Sequence, residues 1–202
     1  MIPNGIDYSS FTPLKNVKRI SGQIITTASA DVPLKGLDFT LHAVARLKEE
    51  YPQLRLVIIG ASRSGGHTER LIKRLQIEEN ISYRSNLTRH EIAVEYAKSN
   101  VAIVSSLYEG FGFPLVEMIA TGLPVIVSDK ASLPELAGDA GLKFNSDDVS
   151  DLKDKMKELV KNHALRDKLA NNSKIRRDAF FGWDEYAKKL EELFEEIISG
   201  NI

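Results

Sequence analysis

Two glutamates separated by seven residues, Glu109 and Glu117, bracket the run Gly110-Phe111-Gly112-Phe113-Pro114-Leu115-Val116. Such a segment suits a ligand that carries both an anion and several hydroxyl groups. Pro114 lacks an N–H and has φ near the helical value, so it is expected to open a helix. Gly110 and Gly112 allow backbone conformations and close approaches that other residues resist. Amides at a helix start, with the positive end of its dipole, favour a phosphate. Pro114 cannot donate, which makes the Phe113 and Leu115 amides the expected donors. A carboxylate repels phosphate at close range but accepts hydrogen bonds from sugar hydroxyls. Glu117, in the first helical turn, leans back toward the helix start. It is therefore expected to face the same cavity as Glu109, with both holding hydroxyls. Taken alone, the segment also admits a plainer account, in which Glu117 only complements the helix dipole and Glu109 sits on a solvated loop.

The elements that must position this turn alternate along the chain. Residues 23–28 read as a strand and 37–51 as a helix with Leu37, Leu41, Val44, Ala45 and Leu47 on one face. Residues 55–60 read as a buried strand, 67–75 as a helix and 81–84 as a short strand. A helix over 88–99 has Thr88 as N-cap, with Glu91 closing a capping box. A strand over 101–105, the helix from Pro114, a strand over 124–128, a one-turn helix over 133–137 and a strand over 141–144 follow. The Asp147-Asp148 pair is placed to cap a helix over 149–162, Trp183 reads as a core anchor, and 186–198 carries an apolar stripe. This βα alternation predicts an α/β, Rossmann-like doubly wound parallel sheet in a single domain. Ligands of such sheets lie beyond the carboxyl ends of the strands.

Two further candidates lie at those ends. The loop after the first strand closes on Lys35, which can meet a diphosphate as a point charge; the alternative is a solvated lysine at a helix start. Ser85, Asn86 and Leu87, after the third strand, are placed to edge a base pocket. The glycine-rich residues 60–67 lack the ending of a phosphate loop, and the chain has no dinucleotide fingerprint, which counts against an NAD enzyme.

Composition narrows the classes. At 202 residues with 43% hydrophobic content, one sizeable core and one domain are expected. A net charge of −1, from 27 basic and 28 acidic residues, supplies no global field for nucleic acid or anionic lipid. With no cysteine, disulfides and thiolate chemistry are excluded, in keeping with a cytoplasmic setting. No apolar run reaches membrane-spanning length. The four histidines lack metal-ligand spacing, so no metal site is expected.

The segment from Glu109 to Glu117 resembles the E-x7-E motif of the group 1 glycosyltransferases, retaining enzymes with the two-domain GT-B fold. Residues 2–7, Lys35-Gly36, residues 56–60, residues 122–125, Pro134-Glu135 and residues 181–183 are similar to the family in the same order. The resemblance implies the C-terminal, nucleotide-sugar-binding half of such an enzyme. Residues 1–20 would form the interdomain junction, and 21–202 the donor-binding domain with C-terminal helices. Lys35 would meet the donor diphosphate. Glu109 with Gly110, Phe111 and Gly112 would face the transferred sugar, Phe113 and Leu115 the phosphate, and Glu117 the ribose. Ser29 and Leu87 would complete the donor site. The resemblance also implies no essential metal, an absent N-terminal acceptor domain through which the protein could associate with a membrane surface, and an isolated half without activity. One departure matters: Ser29 stands where relatives commonly carry a diphosphate-binding arginine, with Arg63 as the candidate substitute. A nucleotide-sugar-binding module without turnover is the alternative reading.

Overall fold

The computed structural model describes residues 2–200. Six parallel strands, β1 (Gln23–Thr27), β2 (Arg55–Ile59), β3 (Ile81–Arg84), β4 (Val101–Val104), β5 (Val125–Ser128) and β6 (Gly141–Phe144), stand in the order β3-β2-β1-β4-β5-β6. The crossovers are α1 (Leu37–Leu47), α2 (His67–Arg74), α3 (Arg89–Lys98), α4 (Phe113–Ala120) and the one-turn α5 (Leu133–Ala137). Three helices close the chain: α6 (Val149–Lys161), α7 (His163–Arg177) and α8 (Trp183–Ile198).

The four inner strands, β1, β2, β4 and β5, are buried on both faces, and alternate side chains divide the expected single core into two layers. Ile24, Leu56, Ile58, Ile103 and Ile126 pack with α1, α2 and α6. Ile25, Val57, Ala102, Val104, Val125 and Val127 pack with α3, α4 and α5 on the other face. Thr88 and Glu91 form the expected capping box, and Asp148 accepts from the Ser150 and Asp151 amides to cap α6.

Four features depart from the sequence reading. The first helix ends at Leu47 rather than residue 51, because residues 48–50 continue only as a turn and residue 51 lies beyond it. Helix α7 is an element that apolar spacing does not reveal: its buried positions include the polar Arg166 and Ser173. The Ser173 hydroxyl donates to the Leu123 carbonyl at 2.9 Å, and the Arg166 guanidinium donates to the last carbonyls of α6. Trp183 is no core anchor; it is 45% exposed, with its ring stacked 6.2 Å from that of Phe113. The stripe of α8 also packs against little, for none of its residues is buried.

The first residues are tied to the far end of the domain. The Ile6 amide donates to the Phe181 carbonyl at 2.8 Å, and the Tyr8 hydroxyl contacts the Arg177 and Phe180 carbonyls. Ile6 and Phe11 are buried.

Gly36 is the position that the crossover from β1 to α1 cannot replace. It has φ +61°, and a Cβ there would lie 2.0 Å from the Ser105 carbonyl oxygen at the end of β4. Gly36→Ala is expected to cost about 2–4 kcal/mol through left-handed strain and backbone displacement. A shift in the urea midpoint equivalent to less than about 0.5 kcal/mol would show that the loops need not approach so closely.

Candidate functional site

The order β3-β2-β1-β4-β5-β6 reverses between β1 and β4. Helix α1 leaves β1 toward one sheet face and α4 follows β4 on the other, so the loops after these strands meet at the switch point, where ligands of such sheets lie. The Lys35 and Glu109 loops are these two.

They are laced together at the backbone. The Leu107 amide donates to the Leu34 carbonyl at 2.8 Å, and the Ser105 hydroxyl donates to the Lys35 carbonyl at 3.2 Å. The Thr40 hydroxyl on α1 donates in turn to Ser105 Oγ at 3.0 Å. Above this lacing Lys35 Nζ lies 2.6 Å from Glu109 Oε1, which also accepts from the Ser106 hydroxyl at 2.8 Å. The two side chains are 31% and 13% exposed, so this ion pair spans the switch point half out of water. An ammonium has three donors. One holds Glu109, leaving two for an anion.

The turn that follows is held through its carbonyls: that of Phe111 accepts from the Ser132 hydroxyl at 2.9 Å and that of Gly112 from the Leu115 and Val116 amides. Among the described residues, the amides of Gly110, Phe111, Gly112 and Phe113 make no hydrogen bond. The helix begins at Phe113, one residue before Pro114, because Gly112 takes φ +95° as its N-cap. The Leu115 amide is not available to a ligand: it donates to the Gly112 carbonyl at 3.0 Å, tightening the first turn. The two glycines differ in purpose. A Cβ on Gly112 would meet Leu133 and Leu136 at 3.3 Å, whereas one on Gly110 would meet nothing within 4 Å. The backbone beside Gly110 is thus open to close approach from outside.

Glu117 lines a cavity of about 240 Å³ together with Asp7, Phe11, Arg89, Phe113 and Trp183. Glu109 is not among its lining residues. The sequence predicts both acids at one cavity; in this structure Glu109 is turned to its counter-charge Lys35 and Glu117 faces the cavity beside the N-terminal segment. Burial pushes the Glu117 carboxyl up to about 7, opposed by the Tyr96 hydroxyl and the charge of Arg89 and reinforced by that of Asp7. Asp7 itself is held well below the usual carboxylate range by the Ser9 and Ser10 hydroxyls and Arg89, 3.1 Å away. Aromatic contacts brace this wall: Phe111 meets Phe113 edge-on at 5.1 Å, and Phe113 stacks on Trp183.

The other candidates lie around the switch point. Ser29 is exposed in the Lys35 loop. Arg63 is 75% exposed and 3.9 Å from Asp31, whose carboxylate already takes the Thr68 amide and hydroxyl near the start of α2. Leu87 packs partly buried against the layer that holds Tyr96 and Phe11, while Ser85 and Asn86 are exposed. Ser106, Asp7, Arg89 and Tyr96 escaped the sequence reading. The serine directly after a strand was a signal; the others are joined to the site only by folding.

The family model for glycosyl transferases group 1 matches residues 12–176. The chain is 35% identical over 202 residues to the MMP alpha-(1->4)-mannosyltransferase of Mycolicibacterium hassiacum, covering 98% of this chain and 48% of that protein. It is 32% identical over 179 residues to the D-inositol 3-phosphate glycosyltransferase of Streptomyces bingchenggensis, covering 83% and 39%. In fold it matches sucrose-phosphate synthase from Thermosynechococcus elongatus, with a TM-score of 0.86, 24% identity, and 98% of this chain set on 52% of that one. It also matches the C-terminal domain of a glycosyl transferase group 1 family protein from Francisella tularensis, with a TM-score of 0.75, 22% identity, and coverage of 87% and 97%. The chain spans about half the length or less of these two curated relatives. No helix among the described residues is long and apolar enough to cross a membrane.

The burial of Glu117 has a measurable cost. Its carboxyl titrates near 4.5 when unfolded and about 7 when folded, so the unfolded chain loses this proton first. Stability from this group therefore falls as pH rises from 4.5 to about 7 and then levels, by on the order of 3 kcal/mol. The neutral Glu117→Gln variant lacks that fall, and its stability relative to wild type is expected to grow across this window. Urea denaturation at several pH values checks it; a pH-independent difference would mean that the carboxylate is solvated.

Proposed function

The chain belongs to the group 1 glycosyltransferases, and from that membership we propose that it is the donor-binding half of a retaining enzyme moving a sugar from a nucleotide diphosphate sugar to a hydroxyl acceptor. The observation that carries this reading is the Lys35–Glu109 pair across the switch point, beside four successive unpaired amides. In the reaction, the bond from the anomeric carbon to the diphosphate oxygen breaks and leaves its electron pair on the diphosphate. The acceptor oxygen takes that place on carbon, and its proton passes to the departing diphosphate oxygen.

Each group has a task in this scheme. The two free donors of Lys35 and the amides of residues 110–113 face the negative charge that grows on the diphosphate, and in a partly dry crevice their effect exceeds that in water. This scheme needs no metal. Glu109, held by Lys35 and Ser106, presents its carboxylate to hydroxyls of the transferred sugar. Open space beside Gly110 lets the sugar approach the backbone. Glu117 accepts from the ribose diol, and Leu87 borders the base. The acceptor belongs to a further domain of a longer protein, which would close the crevice, supply any contact with a membrane, and be required for turnover. A cytoplasmic location is part of this reading.

A second reading, a nucleotide-sugar-binding module without turnover, is favoured by the charge count around Lys35. Ser29 supplies no cation, and Arg63 is drawn toward Asp31. With an acceptor half joined upstream, the enzyme is expected to release nucleoside diphosphate from a nucleotide sugar, whereas a binding module releases none.

UDP, GDP or ADP at millimolar concentration is expected to raise the melting temperature of this domain. Lys35→Met is expected to weaken nucleoside diphosphate binding by about 1–2 kcal/mol and leave binding of the free nucleoside unchanged. If no member of the panel shifts the melting temperature, the donor-site assignment fails. Glu117→Ala is expected to weaken binding by about 1–3 kcal/mol, as for a lost charged hydrogen bond; equal affinity in calorimetric titration would reject the ribose contact.

A further inference from the structure

Tyr96 belongs to none of the motifs above, yet it joins three elements that meet beneath the site. It lies on α3, fully buried, with its ring 6.2 Å from that of Phe11. Its hydroxyl is 3.0 Å from Thr27 Oγ1, at the end of β1, and 3.4 Å from Glu117 Oε2, on α4. Phenylalanine would fill this space as well. Burying a hydroxyl is costly unless it is used in hydrogen bonds, and here both partners lie at the carboxyl end of the sheet.

The polarity of these contacts follows from the inventory of donors. A carboxylate only accepts. When Glu117 is ionised, Tyr96 must donate to Oε2, and the Thr27 hydroxyl must donate to the Tyr96 oxygen. Among the described residues no hydrogen bond uses Oε1 of Glu117. One carboxylate oxygen is therefore tethered inward and the other is left for the cavity.

We propose that Tyr96 is a positioning residue for the nucleotide's ribose: it holds Oε2 of Glu117 so that Oε1 faces the ligand diol. The proposal rests on the reading of Glu117 as the ribose acceptor. Burial raises the Glu117 carboxyl, while Tyr96 and Arg89 on α3 favour its ionised form and Asp7 of the N-terminal segment opposes it. A diol donating to Oε1 adds to the ionising side, so binding strengthens as pH rises toward 7. Loss of the Tyr96 hydroxyl moves that profile to higher pH.

Titration calorimetry with the tightest-binding nucleoside diphosphate and its 2′,3′-dideoxy analogue, between pH 5.5 and 8.5 (roughly the span in which a raised carboxyl titrates), tests this. Tyr96→Phe is expected to bind the ribonucleotide about 3- to 10-fold more weakly, with its pH profile displaced upward, and to bind the dideoxy analogue within about 2-fold of wild type. Thr27→Val, which removes the outer donor but keeps the β-branched shape, is expected to move both readouts the same way by less. Ribonucleotide affinity and pH profile unchanged in Tyr96→Phe would overturn the proposal. Equal weakening toward both ligands would also overturn it, by showing a packing role only. Glu117→Gln separates the underlying reading: if it leaves the preference for ribose over dideoxyribose intact, the ribose assignment and this proposal fall together. If it abolishes that preference while Tyr96→Phe does not change it, only the present proposal falls.

Discussion

The site depends on how little β1 and β4 share. Strand β1 pairs with β2 over five residues but with β4 only through Ile24 and Ile25 against Val101 and Ala102. Past that short register the chain leaves the two strands toward opposite sheet faces, because α1 and α4 belong to different core layers. Backbone donors and acceptors at the strand ends must then find partners outside the ladder. They do so in each other's loops, through Leu107 to Leu34 and Ser105 to Lys35. That lacing brings an ammonium and a carboxylate together at the switch point of the sheet.

Close approach and openness are divided among the glycines. Gly36 lies against the Ser105 carbonyl because the first loop must turn directly over the end of β4. Gly112 turns the second loop into α4 with a positive φ, over Leu133 and Leu136. A Cβ added to Gly110 would meet no atom of the described residues beyond its chain neighbours within 4 Å. The first two are required by the fold, while the third is required by nothing within it, which suits a backbone kept clear for a substrate. Amides left without partners from Gly110 to Phe113 agree with that division.

Charge is managed differently at the two glutamates. Glu109 is neutralised on the spot by Lys35 and sits on a loop, where small movements can exchange its partners. Glu117 sits on a helix above a packed layer, with a tyrosine hydroxyl beneath it and Arg89 acting on it only through its charge, so burial dominates its protonation. A loop carboxylate paired with a lysine suits contact with a reacting group whose charge changes. A rigid, partly dry carboxylate suits recognition of neutral hydroxyls, because an unmet acceptor there discriminates strongly.

Much of this was legible in the chain itself. Strand and helix periodicity fixed the α/β alternation, the Thr88–Glu91 cap and the Asp148 cap, because these depend on neighbours within a few residues. The spacing of Glu109, Gly112, Pro114 and Glu117 likewise foretold a turn entering a helix. Folding alone decided what crosses between elements: that the Leu115 amide is spent on Gly112, that Glu109 faces Lys35 rather than the cavity of Glu117, and that Trp183 braces Phe113 at the surface. It also decided that Tyr96, Arg89 and Asp7 surround Glu117. Local propensity acts over a turn or a strand. Partners 21 to 110 residues away from Glu117 are set by which faces of the sheet the crossovers cover, a property that no single segment carries.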